Sequence, residues 1–384
     1  MTNLLAPLRR MFNPLHEIEA GIYHYISPPN DPRNYRLHLR LESDGSGVLI
    51  INAATILHLN QTAAEYAYYL VHNTPADQVA RKFSARYNVS RAQASQDYLQ
   101  LAERIQTLIS TPDIDPVTFL DFERQVPYSG QISAPYRLDC ALTYRLPTDT
   151  SPDAAPVERV KRELDAEEWK TLIDKAWSAS IPHIVFTGGE PTLRSDLTEL
   201  IAHAEANGQI SGLLSDGLRL AESAYLEELL QTGLDHLMLV LRPEEPLAWQ
   251  ALENALAQDL FVAVHLTLAA ENVKQIPKLL RRLADMGVHA VSLSASDPSL
   301  ATALHDAREQ IARLEMELVW NLPVPYSSLH PIALETSQPE IPEGAGRAWL
   351  YVEPDGDVLP SQGVNRVLGN LLADPWEKIW KSTD

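Results

Sequence analysis

The five residues Thr187-Gly188-Gly189-Glu190-Pro191 follow directly on the apolar run Ile184-Val185-Phe186. Two glycines at a strand end let the backbone approach a ligand closely, since no Cβ stands in the way. The acid that follows offers a carboxylate to a cationic or hydrogen-bonding group. Two neighbouring strand ends add to this chemistry. Leu214-Ser215-Asp216-Gly217 places a hydroxyl and an acid before a glycine, an order that also suits a plain turn. Leu239-Val240-Leu241-Arg242 supplies a guanidinium. Facing Glu190 or Asp216, Arg242 would be either a structural ion pair or the anchor of a carboxylate ligand. His183 and His236 begin their apolar runs, at the end of a barrel remote from its active face. With His265 they read as core or rim histidines rather than metal ligands. No H-E-x-x-H, nucleophile elbow or P-loop occurs.

The elements that must carry these residues alternate regularly. Strand-like runs cover Arg137–Tyr144, His183–Thr187, Ile210–Ser215, His236–Leu241, Phe261–Leu268 and Ala290–Ser294. Amphipathic segments at 166–180, 196–207, 222–232, 273–287 and 300–317 lie between and after them. Six βα units imply an α/β fold with a parallel sheet, as an open barrel or a doubly wound sheet, and both place function at the carboxyl ends of the strands. This region spans 136–320. Ahead of it, 1–34 reads as irregular, with Pro28-Pro29-Asn30-Asp31-Pro32 as a breaker. Residues 35–112 read as a small winged-helix-like α+β domain: a hairpin from Tyr35–Leu41 and Val48–Asn52 around the turn Glu42–Gly47, then three helices. Asn60, Thr74 and Ser90 are the expected caps of those helices. A linker follows over 113–135. Residues 321–384 form a proline-marked extension with a hairpin around Pro354-Asp355-Gly356-Asp357 and a closing helix, with Asp374 as N-cap and Pro375 at N1.

The turn Thr187–Pro191 and the strand end Ala141-Leu142-Thr143-Tyr144-Arg145 resemble the radical S-adenosylmethionine (SAM) superfamily. The resemblance implies a partial (β/α)6 TIM-like barrel in which Thr187, Gly188, Gly189 and Glu190 contact SAM, with Ser215, Asp216 and Arg242 at the same mouth. The family also has a C-x3-C-x2-C loop holding a 4Fe-4S cluster. The matching positions here are Leu146, Thr150 and Asp153, and the chain has one cysteine, Cys140, placed inside the strand. Three thiolates are the hard requirement of such a cluster, so none is expected. The tail resembles the SPASM or twitch extension through Glu353–Pro360, Leu368-Gly369-Asn370 and Trp376–Trp380, with Ser361 where that family has a cluster cysteine. The first domain resembles the PqqD-like RiPP recognition element, through its hairpin, Ile56-Leu57-His58-Leu59-Asn60, and Asp97-Tyr98 in its last helix. That family binds an extended leader peptide as an added strand.

Lys and Arg number 31 against 51 Asp and Glu, a formal charge of -20. Bulk electrostatics therefore argues against nucleic acid or an anionic membrane as partner. No apolar run approaches the roughly 18 residues of a membrane span. Arg9-Arg10 and the prolines at 7 and 14 are not what a secretory signal carries. A single cysteine excludes an intramolecular disulfide framework, and the expected location is the cytoplasm. The expected function is that of a cluster-free member of radical SAM ancestry, a pseudoenzyme that binds a peptide or partner protein through its first domain. The barrel mouth either still holds SAM or a small ligand, or keeps its turn for the fold alone. Two enzyme readings stand beside this one: polar chemistry on SAM, such as methyl transfer, through Glu190, Asp216 and Arg242, and radical peptide modification by family likeness.

Overall fold

The computed structural model describes residues 18–28, 30, 31, 33, 35–51, 55–111, 132–147, 154–337 and 341–383. Arg9, Arg10, most of the expected linker, Thr150 and Asp153 lie outside the described residues. The chain divides into two compact units, Met1–Ser133 and Ala134–Asp384.

Alternation builds the first unit. Strands β1 (Gly21–Ile26), β2 (Arg36–Leu41), β3 (Gly47–Ile51) and β4 (Thr55–Leu59) pair antiparallel in that order. Leu37, Leu39, Leu49, Ile51 and Leu57 share one face and pack on Ala64, Ala67 and Ile105. Those partners come from helices α1 (Gln61–Val71) and α3 (Arg91–Ser110), and α2 (Ala76–Arg86) lies between the two in sequence. The expected hairpin is thus the middle of a four-stranded meander. Part of the segment expected to be irregular is a strand: in β1, Tyr23 and Tyr25 alternate onto the same core, a period too short to stand out beside the prolines. Asn60 and Ser90 cap α1 and α3, accepting from the Ala63 and Gln93 N–H groups. Thr74 does not cap α2. Pro75 takes that position, and the Thr74 carbonyl accepts from the Tyr98 hydroxyl at 2.9 Å.

In the second unit β5 (Arg137–Thr143), β6 (His183–Gly188), β7 (Ile210–Ser215), β8 (His236–Val240), β9 (Phe261–Leu268) and β10 (Ala290–Ala295) are parallel and adjacent in chain order. Helices α4 (Ala166–Ser178), α5 (Leu197–Ala206), α6 (Ser223–Gln231), α7 (Pro246–Leu256), α8 (Ile276–Asp285) and α9 (Ala301–Arg313) follow them one by one. Leu138, Cys140, Leu142, Ile184 and Phe186 face the helices, in one core with Trp169 and Leu200. The alternate residues Val185, Leu214, Met238, Ala263 and Ala290 converge on Val324. All six helices pack on one face of this sheet and none on the other, so the parallel sheet is a partial barrel rather than a doubly wound one, which carries helices on both faces. Helix α7 occupies a stretch to which no element had been assigned. The last helix ends at Arg313, short of the expected 317, because Glu315 takes φ +57, where the right-handed helix cannot continue.

The tail does not stand apart from this sheet. Strand β11 (Glu317–Leu318) extends the β10 edge; helix α10 (Ala333–Ser337) follows. Strand β12 (Trp349–Val352) pairs parallel with β5, and β13 (Asp357–Leu359) and β14 (Gly369–Asn370) complete the sheet antiparallel. In the closing helix α11 (Trp376–Lys381), Pro375 is the N-cap. Asp374, expected there, instead accepts from the Asn370 N–H at 3.0 Å and pairs with Lys378 at 2.7 Å.

Asn370 ties this tail together. Its Nδ2 donates to the Asp355 carbonyl and the Asp357 carboxylate, and its Oδ1 accepts from the Leu372 and Ala373 N–H groups. Asn370→Ala leaves these groups unpaired and is expected to cost about 2 kcal/mol. Urea denaturation checks this; a loss below about 0.5 kcal/mol would mean that water replaces the amide at little cost.

Candidate functional site

The Thr187–Pro191 turn sits at the carboxyl end of β6. Gly189 N–H donates to the Thr143 carbonyl at 2.7 Å and Glu190 N–H to the Arg145 carbonyl at 2.9 Å, so the turn is pinned to the end of β5. Glu190 is 3 % exposed. Its Oε1 accepts from the Thr192 N–H (2.9 Å), the Thr192 hydroxyl (2.6 Å) and the Ser215 hydroxyl (2.9 Å); its Oε2 accepts from the Asp216 N–H (2.8 Å). Four donors from the barrel itself therefore occupy this carboxylate. Burial, and then the Asp216 charge, push the Glu190 carboxyl up to about 7.

Ser215, Asp216 and Arg242 converge on the same spot. The Ser215 hydroxyl also accepts from the Gly217 N–H at 3.0 Å, and Asp216 Oδ1 accepts from the Leu218 N–H at 3.0 Å. Asp216 Oδ2 is buried without a hydrogen bond and faces Arg242 Nη2 at 3.9 Å. Of the two partners open to Arg242, it thus faces the second acid, at ion-pair distance.

An extended segment of the chain closes over this mouth. After β11 the residues Asn321–Ser327 run inward as a strap. The Thr187 hydroxyl donates to the Pro323 carbonyl at 2.9 Å. The Tyr326 N–H donates to the Gly188 carbonyl at 2.8 Å. Gln362 Nε2 holds the Val324 carbonyl at 2.8 Å, and Val324 fills the lumen. The space left between Gly189, Glu190, Asp216, Arg242, Pro325 and Tyr326 is about 10 Å³, the room of at most one water. The side chains of the turn suit SAM by type, but its volume fits there only after the strap has moved.

The cluster positions do not fit a cluster. Leu146 packs in an apolar group with Ala141, Tyr144, Tyr326, Tyr351 and Leu359. The Ser361 hydroxyl accepts from Trp349 Nε1 at 3.3 Å. Cys140 is buried against the helices, and burial pushes its thiol well up, away from the thiolate that iron needs.

The three histidines lie where strand position puts them. His183 and His236 meet at the start of β6 and β8, Nε2 to Nε2 3.2 Å apart; burial, then Arg137, pulls His236 down to about 4. Among the described residues no group of three or more His, Cys, Asp or Glu is placed to hold a metal ion. His265 on β9 is satisfied by hydroxyls, Nδ1 by Ser292 at 3.1 Å and Nε2 by Ser294 at 3.0 Å. This imidazole lines a cavity of about 350 Å³ on the far side of the strap, which the sequence reading missed. Alternation of Ser292 and Ser294 on β10 beside His265 was a signal for it; the tail residues of its wall carried none.

A curled six-unit βα sheet with a glycine–acid turn at its carboxyl edge defines the class: a parallel α/β partial barrel with its site at the strand ends. Residues 140–241 match the family model described as the Radical SAM superfamily. A PqqA peptide cyclase of Streptomyces rochei is 26 % identical over 281 residues, 65 % of this chain and 76 % of the relative. Another, of Methylobacterium nodulans, is 29 % identical over 288 residues, 64 % and 73 % of the two chains. Among solved structures, SuiB of Streptococcus suis bound to its precursor peptide SuiA matches with a TM-score of 0.58 at 14 % identity, covering 93 % of this chain and 88 % of SuiB. SuiB bound to S-adenosylmethionine matches at 0.57 and 15 %, with the same coverage. At such identity the likeness is one of fold. No helix among the described residues is long and apolar enough to cross a membrane.

Proposed function

We propose that this chain is a peptide-binding radical SAM family protein that works without an iron–sulfur cluster and without SAM bound at the Glu190 turn. The observation that carries the reading is the state of that turn. Its acid is satisfied by four donors of the barrel, its Gly188 carbonyl by the strap, and the space beside it is about 10 Å³. The single cysteine supports the same conclusion. The relatives named as PqqA peptide cyclases, and SuiB with its precursor peptide, support a peptide as the partner.

The first unit is the proposed peptide site, a PqqD-like module acting by strand addition. Both outer edges of the central hairpin are already paired, β2 by β1 and β3 by β4. A peptide strand therefore adds to the outer edge of β1 or of β4, and the β12–β14 tail is a SPASM- or twitch-like extension that serves the fold.

The names of the relatives favour a second reading, radical modification of a peptide. Two measurements separate the readings. Anaerobic reconstitution with iron and sulfide is expected to leave under about one iron per chain; several irons with a visible charge-transfer band would establish the second reading. Calorimetric titration with SAM is expected to give no saturable heat. Micromolar binding weakened by Glu190→Gln would overturn the first reading and favour SAM chemistry, radical or polar.

A further inference from the structure

The 350 Å³ cavity shares a wall with a second space of about 290 Å³ beneath α9; Leu293, Ser294, His330 and Leu334 line both. The second space is bounded mainly by apolar side chains, among them Leu304, and by Arg308. Arg308 is half-buried, its Nε is buried without a hydrogen bond, and its guanidinium lies 4.5 Å above the Trp320 ring. The adjacent acid on the helix, Glu309, is engaged with His305 and Arg313. No described acid pairs with Arg308, and burial pulls its pKa down uncompensated. It is the only Lys or Arg lining either space among the described residues.

Of the other charges in the walls, Asp297 is exposed at the rim and accepts from the Ser299 N–H at 2.8 Å, and the remaining two acids are paired. Asp139 is held by Arg137 through two hydrogen bonds, at 2.6 and 3.0 Å. Glu335 pairs with Arg159 at 2.7 Å and accepts from Tyr326. Burial keeps His265 and His330 neutral, pulling them to about 3 and about 4. One further polar atom lacks a partner: His330 Nδ1 is buried in the shared wall without a hydrogen bond. Beside it the Ser294 hydroxyl lies 3.0 Å from His265 Nε2 and 3.2 Å from the Thr267 hydroxyl, a relay able to donate or accept. An unpaired guanidinium, an apolar passage and a buried hydroxyl–imidazole group thus succeed one another.

We infer that these adjoining spaces form a binding site for a small aromatic monocarboxylate bearing a ring hydroxyl, its carboxylate on Arg308 and its hydroxyl at Ser294 and His330. A guanidinium matches a carboxylate as a two-pronged donor. One cation balances one charge, so a monoanion is preferred over a phosphate dianion, which would bring an uncompensated buried charge. The exposed Trp320 ring and Leu304 flank the ring of the ligand. The site lies across the strap from the Glu190 turn and does not depend on SAM or a cluster.

The test uses the full chain, with 4-hydroxybenzoate as probe, and reads Trp fluorescence quenching together with saturation-transfer NMR. Saturable binding is expected, with the neutral analogue 4-hydroxybenzamide and phenyl phosphate each at least tenfold weaker. Arg308→Gln is expected to weaken the acid about tenfold and leave the amide unchanged; Ser294→Ala is expected to weaken both. Circular dichroism melts confirm that each variant is folded, and if Arg308→Gln is not, Arg308→Lys, which keeps the charge but loses the fork, is expected to lie between. The inference fails if 4-hydroxybenzoate shows no saturable binding, if the amide or the phosphate ester binds as well as the acid, or if a folded Arg308 variant binds the acid unchanged.

Discussion

Gly188→Ala is expected to destabilise the barrel unit by about 3–5 kcal/mol, the largest single-residue effect in the site region. Gly188 sits at φ +122, where an L side chain is strained, and a Cβ there would stand 2.3 Å from the Thr143 carbonyl oxygen. That obstacle is backbone, at the point where the register of β5 against β6 shifts between Ala141 and Thr143. Relief therefore requires the two strands to separate, and the Tyr326 N–H bond to the Gly188 carbonyl is lost with them. Gly287→Ala is the control. It also has positive φ, +85, but nothing within 4 Å, so only the conformational cost of about 1–2 kcal/mol is expected. Chemical denaturation of the two variants checks the pair; equal losses would show that φ, and not the close approach of β5, explains the glycine.

Between pH 4.5 and 7 Glu190 is expected to subtract stability as pH rises, by on the order of 3 kcal/mol, against the opposite slope of the buried His236, His265 and His330, whose imidazoles burial holds neutral. Its carboxyl is raised from 4.5 to about 7 in the folded state. At this one group the folded state then binds more protons than the unfolded one across the window. Its contribution is complete below about pH 4.5 and is lost as pH climbs through about 7. The physical cause is burial beside the Asp216 carboxylate, which makes the second negative charge costly. Glu190→Gln removes the ionisation, so the stability of the wild type relative to the variant should fall across this window, the histidine slope being common to both. The outcome is read from urea midpoints at half-unit pH steps. A parallel slope in the variant would assign the dependence to another group.

These two predictions rest on different kinds of information. The glycine–acid turn was legible because its residue types are rare together and stand at the end of an apolar run. The strand boundaries of β7 and β9 and the succession of six strands were equally legible, since a buried strand must be apolar whatever it packs against. Harder to read was the tail. Trp349–Val352 looks like any hairpin strand, and only its parallel pairing with β5 makes it part of the barrel sheet. The strap was legible only as the extended, proline-marked start of the tail: Pro323-Val324-Pro325 names no partner, because a segment that pairs through single backbone bonds leaves no periodic pattern.

By itself the sequence determined the class of fold, the place of the turn and the shortage of thiolates. Each of these depends on local residue type or on a count, and neither changes with packing. Only the tertiary structure decided what surrounds the turn. Contacts between residues over a hundred positions apart, Thr187 with Pro323 and Gly188 with Tyr326, fill the mouth that local chemistry had left open. The same holds for Arg308, Ser294 and His330, which share cavity walls because β10, α9 and the residues that follow the strap meet there. Side-chain type says what a group is able to bind. Whether it has room and a free bond to do so is set by long-range packing, which is encoded by the whole chain at once.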